Sequence, residues 1–336
     1  MRLIPFLFLL ALWACQTKQA PVFHGSTMGT TYAITLADTT LEPASVKRLS
    51  TLIEQRLKEI NGSMSTYIPQ SEISRFNKNH TLEPLTVSRE FMYVTRMAEN
   101  IYRGSGGAYD VTVAPLVDLW GFGKNGRRFT PPARAAIDSV MRFIGMDKLI
   151  IGRDYLQKTI PQLQLDFSSI AKGYGVDEIA RLIRKEGFVN FLVEIGGEVV
   201  VSGRRSGQLW RIGVDKPDTS LMVNHSLQRI LALTGGAVAT SGDYRNYFVS
   251  HDSLYSHTMD PRLGQPIVNH VASATVIAPN CTLADAMATA LMVMGPEKGL
   301  KWVEEQKEIE AMLIMRRGKN YKVIESSGFS RYEVND

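Results

Sequence analysis

The stretch "LDFSSIAKGYGVD", Leu165 to Asp177, is the hinge on which the rest of the chain is read. Leu163, Leu165 and Phe167 alternate with polar residues at the period of a half-buried strand, which predicts a strand over 164–167 with Asp166 at its end. Val176, Ile179, Leu182 and Ile183 then recur at helical spacing and predict a helix over 176–185. Residues 168–173 fall at the corner between them. That corner carries two serines, a lysine and a glycine beside the acid, where packing residues would serve. Amides at a helix start attract anions, and glycine lets a backbone come close to a ligand. Lys172 adds a compact cation suited to a phosphate or a carboxylate. The residues alone allow a plainer reading as well, in which Asp166 and the serines cap the helix and Lys172 is solvated.

A second stretch, "APNCTLADAMATALMVMG", opens with the cap-type residues Asn280 and Thr282 and stops at Gly295, predicting a helix over 283–294. Asp285 and Thr289 are four apart, so both project from one face. Ala284, Ala286, Ala288 and Ala290 leave that face shallow, and Asp285 is expected as a helix-surface acid. A carboxylate and a hydroxyl presented together suit a hard cation such as Mg²⁺, which takes oxygen ligands and shares them with phosphates. An acid near a helix N-terminus is also favourable for the dipole alone.

Elsewhere both element types are mixed. "TTYAITLAD" alternates like a strand; Val46, Leu49, Leu52, Ile53, Leu57 and Ile60 keep helical spacing. Further helices are expected over 89–102 and 296–306, and strands over 191–201, 210–214, 228–233 and 272–277. Strands come in clusters with helices between them and no regular alternation, which favours α+β over a doubly wound sheet. Without repeats, low-complexity blocks or a convincing linker, a single domain of at most two lobes is the simplest division.

The chain opens "MRLIPFLFLLALWAC". Its apolar run is too short to span a bilayer, which takes roughly 20 residues, and reads as an export signal over 1–14. Leu12-Trp13-Ala14-Cys15 is spaced like a bacterial lipoprotein box, so Cys15 is expected to be lipidated after cleavage. Residues 15–21 then form a tether and 22–336 the domain. The protein is thus expected to be exported and lipid-anchored to a bacterial membrane, facing the periplasm. With Cys15 acylated, Cys281 has no intrachain partner and should be buried. The formal net charge of +5 is spread among acids, with no basic stripe of the kind a nucleic-acid binder displays.

Small and polar residues are dense in several further segments, and such breaks of local packing rules tend to gather at functional sites. Taken in order, "GSTMGTTY", "MSTYIPQSEISRFN", "GGAYDVTVAP", "LDFSSIAKGYGVD", "FLVEIGGEVVVSG", "YSHTMDPRLGQP" and "LADAMATALMVMG" resemble the segments of the ApbE family of FAD:protein FMN transferases, from about Phe23 to past Gly295. The resemblance implies a single α+β, T-fold-related domain with mixed and antiparallel sheets, flanking helices and an FAD cleft between two lobes. It implies Mg²⁺ held by the backbone carbonyl of Ser169 and by Asp285 and Thr289. FAD would be contacted by Met28, Tyr67, the turn Ala108-Tyr109-Asp110, Asp166 and Lys172. The Thr258 region would close over it, and His257 would lie near the reacting phosphates. Where many members read glycine or alanine after the strand-end acid, this chain has Ser168-Ser169.

The activity implied is that of a phosphotransferase. FMN passes from FAD to a threonine or serine hydroxyl of an acceptor flavoprotein subunit, NqrC/RnfG-like, through a phosphoester bond, with AMP released and His257 or Asp285 as base. A tyrosine at position 67 leans towards transfer. Two other functions stay open on the same residues: an FAD pyrophosphatase giving FMN and AMP, and a lipoprotein that binds FAD without chemistry.

Overall fold

In the computed structural model, residues 20–334 are described except 125, 127, 218–226, 244–246, 251–252 and 319. The export signal and Cys15 lie outside the described residues. Val22–Thr27 (β1) turns into Thr30–Leu36 (β2) through Met28 and Gly29, both in the left-handed region with φ of 51° and 74°. Phe191–Ile195 (β3), Glu198–Ser202 (β4), Gly235–Gly242 (β5), Val271–Ala278 (β6), Glu310–Arg317 (β7) and Asn320–Glu325 (β8) complete one eight-stranded sheet, numbered here without the smaller sheets. Every neighbouring pair is antiparallel, and spatial order follows chain order.

The helices are Pro43–Met64 (α1), Glu72–Lys78 (α2), Arg89–Gly104 (α3), Ala114–Leu119 (α4), Arg134–Met141 (α5), Ala171–Lys185 (α6), Cys281–Met294 (α7) and Pro296–Glu304 (α8). Strand alternation sends Ile34, Val193, Val200, Ala239 and Val276 into a core shared with α1, α3, α6 and α7. Val199, Val201, Val238, Ile277 and Met312 go to the other face, against the hairpin Trp210–Asp215/Leu227–Leu233. The sheet is therefore covered on both faces. A smaller cluster of Leu116, Trp120, Ile137, Phe248 and Met259 forms beside this body. The α+β expectation holds: a large antiparallel sheet with helices, in one domain.

Three expectations need correcting. Residues 191–201 are a hairpin broken at Gly196-Gly197, whose φ values of 61° and 99° suit the two-residue turn between Ile195 and Glu198. Residues 164–167 form no strand; Leu165 instead exchanges two hydrogen bonds with the side chain of Asn77, at 2.7 and 2.8 Å. The helix expected to start at 176 begins at Ala171, so Lys172 and Gly173 lie in its first turn. Cys281 is free and buried, as expected. Among the described residues no helix is long and apolar enough to cross a membrane.

Candidate functional site

α6 and α7 meet so closely that their side chains must be almost absent at the contact. A Cβ on Gly173 would sit 2.3 Å from the Cys281 carbonyl oxygen and 2.8 Å from the Asp285 Cβ. In return the Gly173 N–H donates to Asp285 Oδ2 at 2.9 Å. The junction is held from below by Asp177, which accepts from the Cys281 and Thr282 N–H groups at 2.8 Å each and from the Thr282 hydroxyl at 2.5 Å. The carboxylate thereby satisfies first-turn amides of α7 and faces the positive end of its dipole.

This corrects the view of Asp285 as a surface acid. It is 3 % exposed, and the four alanines around it are buried. They mark tight packing of α7 on all sides, with Asp285 and Thr289 opening onto a cavity of about 300 Å³. Burial pushes the Asp285 carboxyl up, opposed by the Lys172 charge and the Gly173 N–H. Thr289 Oγ1 lies 3.0 Å from Ser241 Oγ on β5, which ties this face of α7 to the sheet.

The same cavity is lined by Ala108, Tyr109, Asp110, Asp166, Ser169, Lys172, His257 and Thr258. The Asp110 carboxylate takes the N–H and hydroxyl of Thr112 at 2.7 and 2.6 Å, fixing the turn, and burial raises its pKa. Asp166 caps no helix; its Oδ1 accepts from the Ser168 N–H at 2.7 Å in a local turn. The Ser169 hydroxyl donates to the Tyr109 hydroxyl at 3.1 Å, so the departure to serine is absorbed by a neighbour. Met28 and Tyr67 do not line this cavity. They line an adjoining one of about 580 Å³, which shares Asp166, Ser168 and Lys172 with the first. Met28 also packs on α6, where a Cβ on Gly175 would lie 2.9 Å from its Cε. Tyr67 is 70 % exposed. His257 stands between the first cavity and a third, smaller pocket containing Tyr67, Asp118 and Lys124, with its ring edge-on to Phe122. The cleft runs between the sheet-and-helix body and the small cluster, whose Val113, Val117 and Met259 line it opposite α7.

Sequence reasoning passed over two acids. Asp177 ends the motif Leu165 to Asp177, and its position there assigns it no role. Glu198, the first residue of β4, is 2 % exposed and pairs with Lys172. The signal was there: an acid followed by three valines in a run that has no solvent face. The pair is unequal because one ammonium serves two carboxylates. Although burial acts to lower it, Lys172 is held up by Asp285 and Glu198 together. Burial, with the Asp285 charge added, pushes the Glu198 carboxyl above the ordinary carboxylate range despite Lys172.

No group of three or more His, Cys, Asp or Glu side chains able to hold a metal occurs among the described residues, so an all-protein cage is absent there. One buried carboxylate, a hydroxyl and a nearby backbone carbonyl suit Mg²⁺, which keeps waters and completes its shell with substrate phosphate oxygens.

The ApbE family model matches residues 28–313. A Vibrio cholerae protein named FAD:protein FMN transferase is 41 % identical over 98 % of this chain and 98 % of its own length. The solved flavin transferase ApbE from Vibrio cholerae superposes with a TM-score of 0.84 at 39 % identity, covering 94 % of this chain and 99 % of that one. The apo flavinyl transferase ApbE from Pseudomonas stutzeri gives 0.84 at 36 % identity, covering 94 % and 96 %. With the family match spanning most of its length and these relatives aligned end to end, the chain belongs to the ApbE family.

Proposed function

We propose that this chain is an FAD:protein FMN transferase that uses Mg²⁺ to pass FMN to a threonine or serine hydroxyl of an acceptor flavoprotein subunit, releasing AMP. One observation carries the reading. The carboxylate, hydroxyl, lysine and histidine that the chemistry needs line one cavity, and that cavity runs through Asp166 and Lys172 into the space beside Met28 and Tyr67. A dinucleotide needs such an elongated, two-part site.

Asp285, Thr289 and the Ser169 carbonyl would hold the cation. When bound, it supplies positive charge against the diphosphate. Lys172 adds its own charge from the first turn of α6, where exposed amides also favour an anion. Asp166 and the Ala108–Asp110 turn fix the orientation of the nucleotide. The acceptor oxygen forms a new bond to the FMN-side phosphorus as the bridging P–O bond breaks, and AMP carries that oxygen away. We assign the acceptor proton to His257. It reaches both the main cavity and the outer pocket, whereas Asp285 is buried with one oxygen committed to Gly173. The acceptor is an NqrC/RnfG-like subunit with an exposed threonine. The protein meets it at the periplasmic face of a membrane, held by lipid on Cys15.

The test is incubation with FAD, Mg²⁺ and a threonine-bearing acceptor subunit. Covalently yellow acceptor with stoichiometric AMP supports transfer; free FMN with AMP identifies a pyrophosphatase; FAD retained intact identifies a binding protein.

A further inference from the structure

Glu198 stands where the packing pattern calls for an apolar residue. It follows the Gly196-Gly197 turn, opens a strand whose next three residues are valines, and is 2 % exposed. A carboxylate so placed must meet its hydrogen-bonding needs locally. One oxygen does, through the ion pair with Lys172. The other, Oε2, is buried and has no hydrogen-bond partner among the described residues. The residue lines the cavity that also contains Lys172, Asp285 and Thr289. A buried acceptor without a donor is costly, so the chain bears that cost beside its nucleotide site.

Resting on the function proposed above, we infer that Glu198 is a positioning residue of the reaction. It fixes the Lys172 ammonium on the cavity wall and offers Oε2 to a hydrogen-bond donor that arrives with the substrate. That donor is a sugar hydroxyl of the dinucleotide or a water on the divalent cation. An apolar side chain in this position would leave the ammonium without this partner. The ion pair keeps it in register and leaves the second oxygen unfilled on the cavity wall.

The test compares wild type with Glu198→Gln, which keeps shape and removes the charge, and Glu198→Asp, which keeps charge and withdraws it by one methylene. Three quantities are measured on the full chain: Mg²⁺ affinity without nucleotide, FAD affinity in chelator without metal, and kcat for AMP release. The Gln variant should melt no lower than wild type yet lose about tenfold or more in kcat, the scale of one hydrogen bond to a charged group. Weaker binding of Mg²⁺ alone assigns the donor to cation-bound water; weaker FAD binding in chelator assigns it to a sugar hydroxyl. The Asp variant should recover part of the loss. Both affinities and kcat at wild-type values in the Gln variant would overturn the inference. Wild type that releases no AMP would defeat the transferase reading, while the two binding measurements would still decide the role of Glu198.

Discussion

Gly173 on α6 donates its backbone N–H to Asp285 Oδ2 on α7 at 2.9 Å, and the space beside its Cα is filled by the Cys281 carbonyl. One glycine thus sets both the distance between the two helices and the orientation of the cavity's buried carboxylate. A bulkier residue cannot keep either.

Gly173→Ala should therefore destabilise. In an ordinary helix interior the change gains about 1 kcal/mol. Here the new methyl would meet backbone at 2.3 Å, and overpacking of that kind costs about 1–3 kcal/mol. The expected result is a lower urea midpoint with loss of AMP release. A more stable, fully active variant would show that the helices can part without consequence.

Asp285 separates two roles that one substitution would confuse. Asp285→Asn keeps an acceptor for the Gly173 N–H and removes a buried charge that burial already disfavours. It should fold with undiminished stability and lack Mg²⁺-dependent AMP release. Asp285→Ala leaves the Gly173 N–H unpaired and should lose about 1–3 kcal/mol. Turnover by the Asn variant at the wild-type rate would remove the carboxylate from the site's chemistry.

Much of this was legible in the sequence, for reasons that also explain what was not. The spacing of Asp285 and Thr289 gave their common face because a helix repeats every 3.6 residues. It could not say that α7 is buried all round; alanines read equally as a shallow surface and as close packing. Leu163, Leu165 and Phe167 are all buried with period 2, yet no ladder forms, because the Asn77 amide takes the place of a neighbouring strand. Periodicity reports which faces are buried and not what pairs with the backbone. The Gly196-Gly197 turn is written in the chain, but the apolar residues on either side of it read as one unbroken strand unless the glycines are given weight. Glu198 is marked in the sequence by the three valines that follow it, a signal that becomes decisive once its burial is known.

His257 lies where an acceptor hydroxyl would enter, between the main cavity and the pocket of Tyr67 and Asp118. His257→Ala should lower kcat about 10²–10⁴-fold, the usual contribution of a general base, with FAD affinity retained. Rates and FAD binding measured on the same preparation decide it. An equal loss in both would return the residue to a structural role beside Phe122.

Asp177 never touches the cavity, yet its three bonds seat the start of α7 on α6. Asp177→Ala should cost about 3–5 kcal/mol, the lower range for losing three hydrogen bonds to a charged group. Asp177→Asn, which retains an acceptor, should cost less. Activity should fall in the same order, because the helix carrying Asp285 and Thr289 loses its anchor. Urea titrations of both variants beside their AMP release rates provide the check, and a stable Ala variant would mean that α7 is held by its apolar contacts alone.

Lys158 gives a pH signature remote from the chemistry. It is 1 % exposed, donates to the Asn79 carbonyl at 2.7 Å, and its ammonium lies 4.7 Å from the centre of the Phe76 ring. Carbonyls at the end of α2 and an aromatic face favour a cation, but among the described residues no carboxylate forms an ion pair with it, and burial lowers its pKa to about 8. The folded value is thus depressed below the unfolded one, so the folded state binds fewer protons than the unfolded chain between about pH 8 and the ordinary lysine value of about 10.4. The stability linked to this group is complete above that window and is lost as pH falls through about 8. Lys158→Met removes the titration and the donor together. Unfolding free energies of both proteins across the window isolate the lysine, since other groups titrate alike in each. The wild-type value should gain on that of the Met variant as pH rises from 7 to 10. A constant difference would mean that Lys158 keeps its proton as readily in the fold as in the unfolded chain.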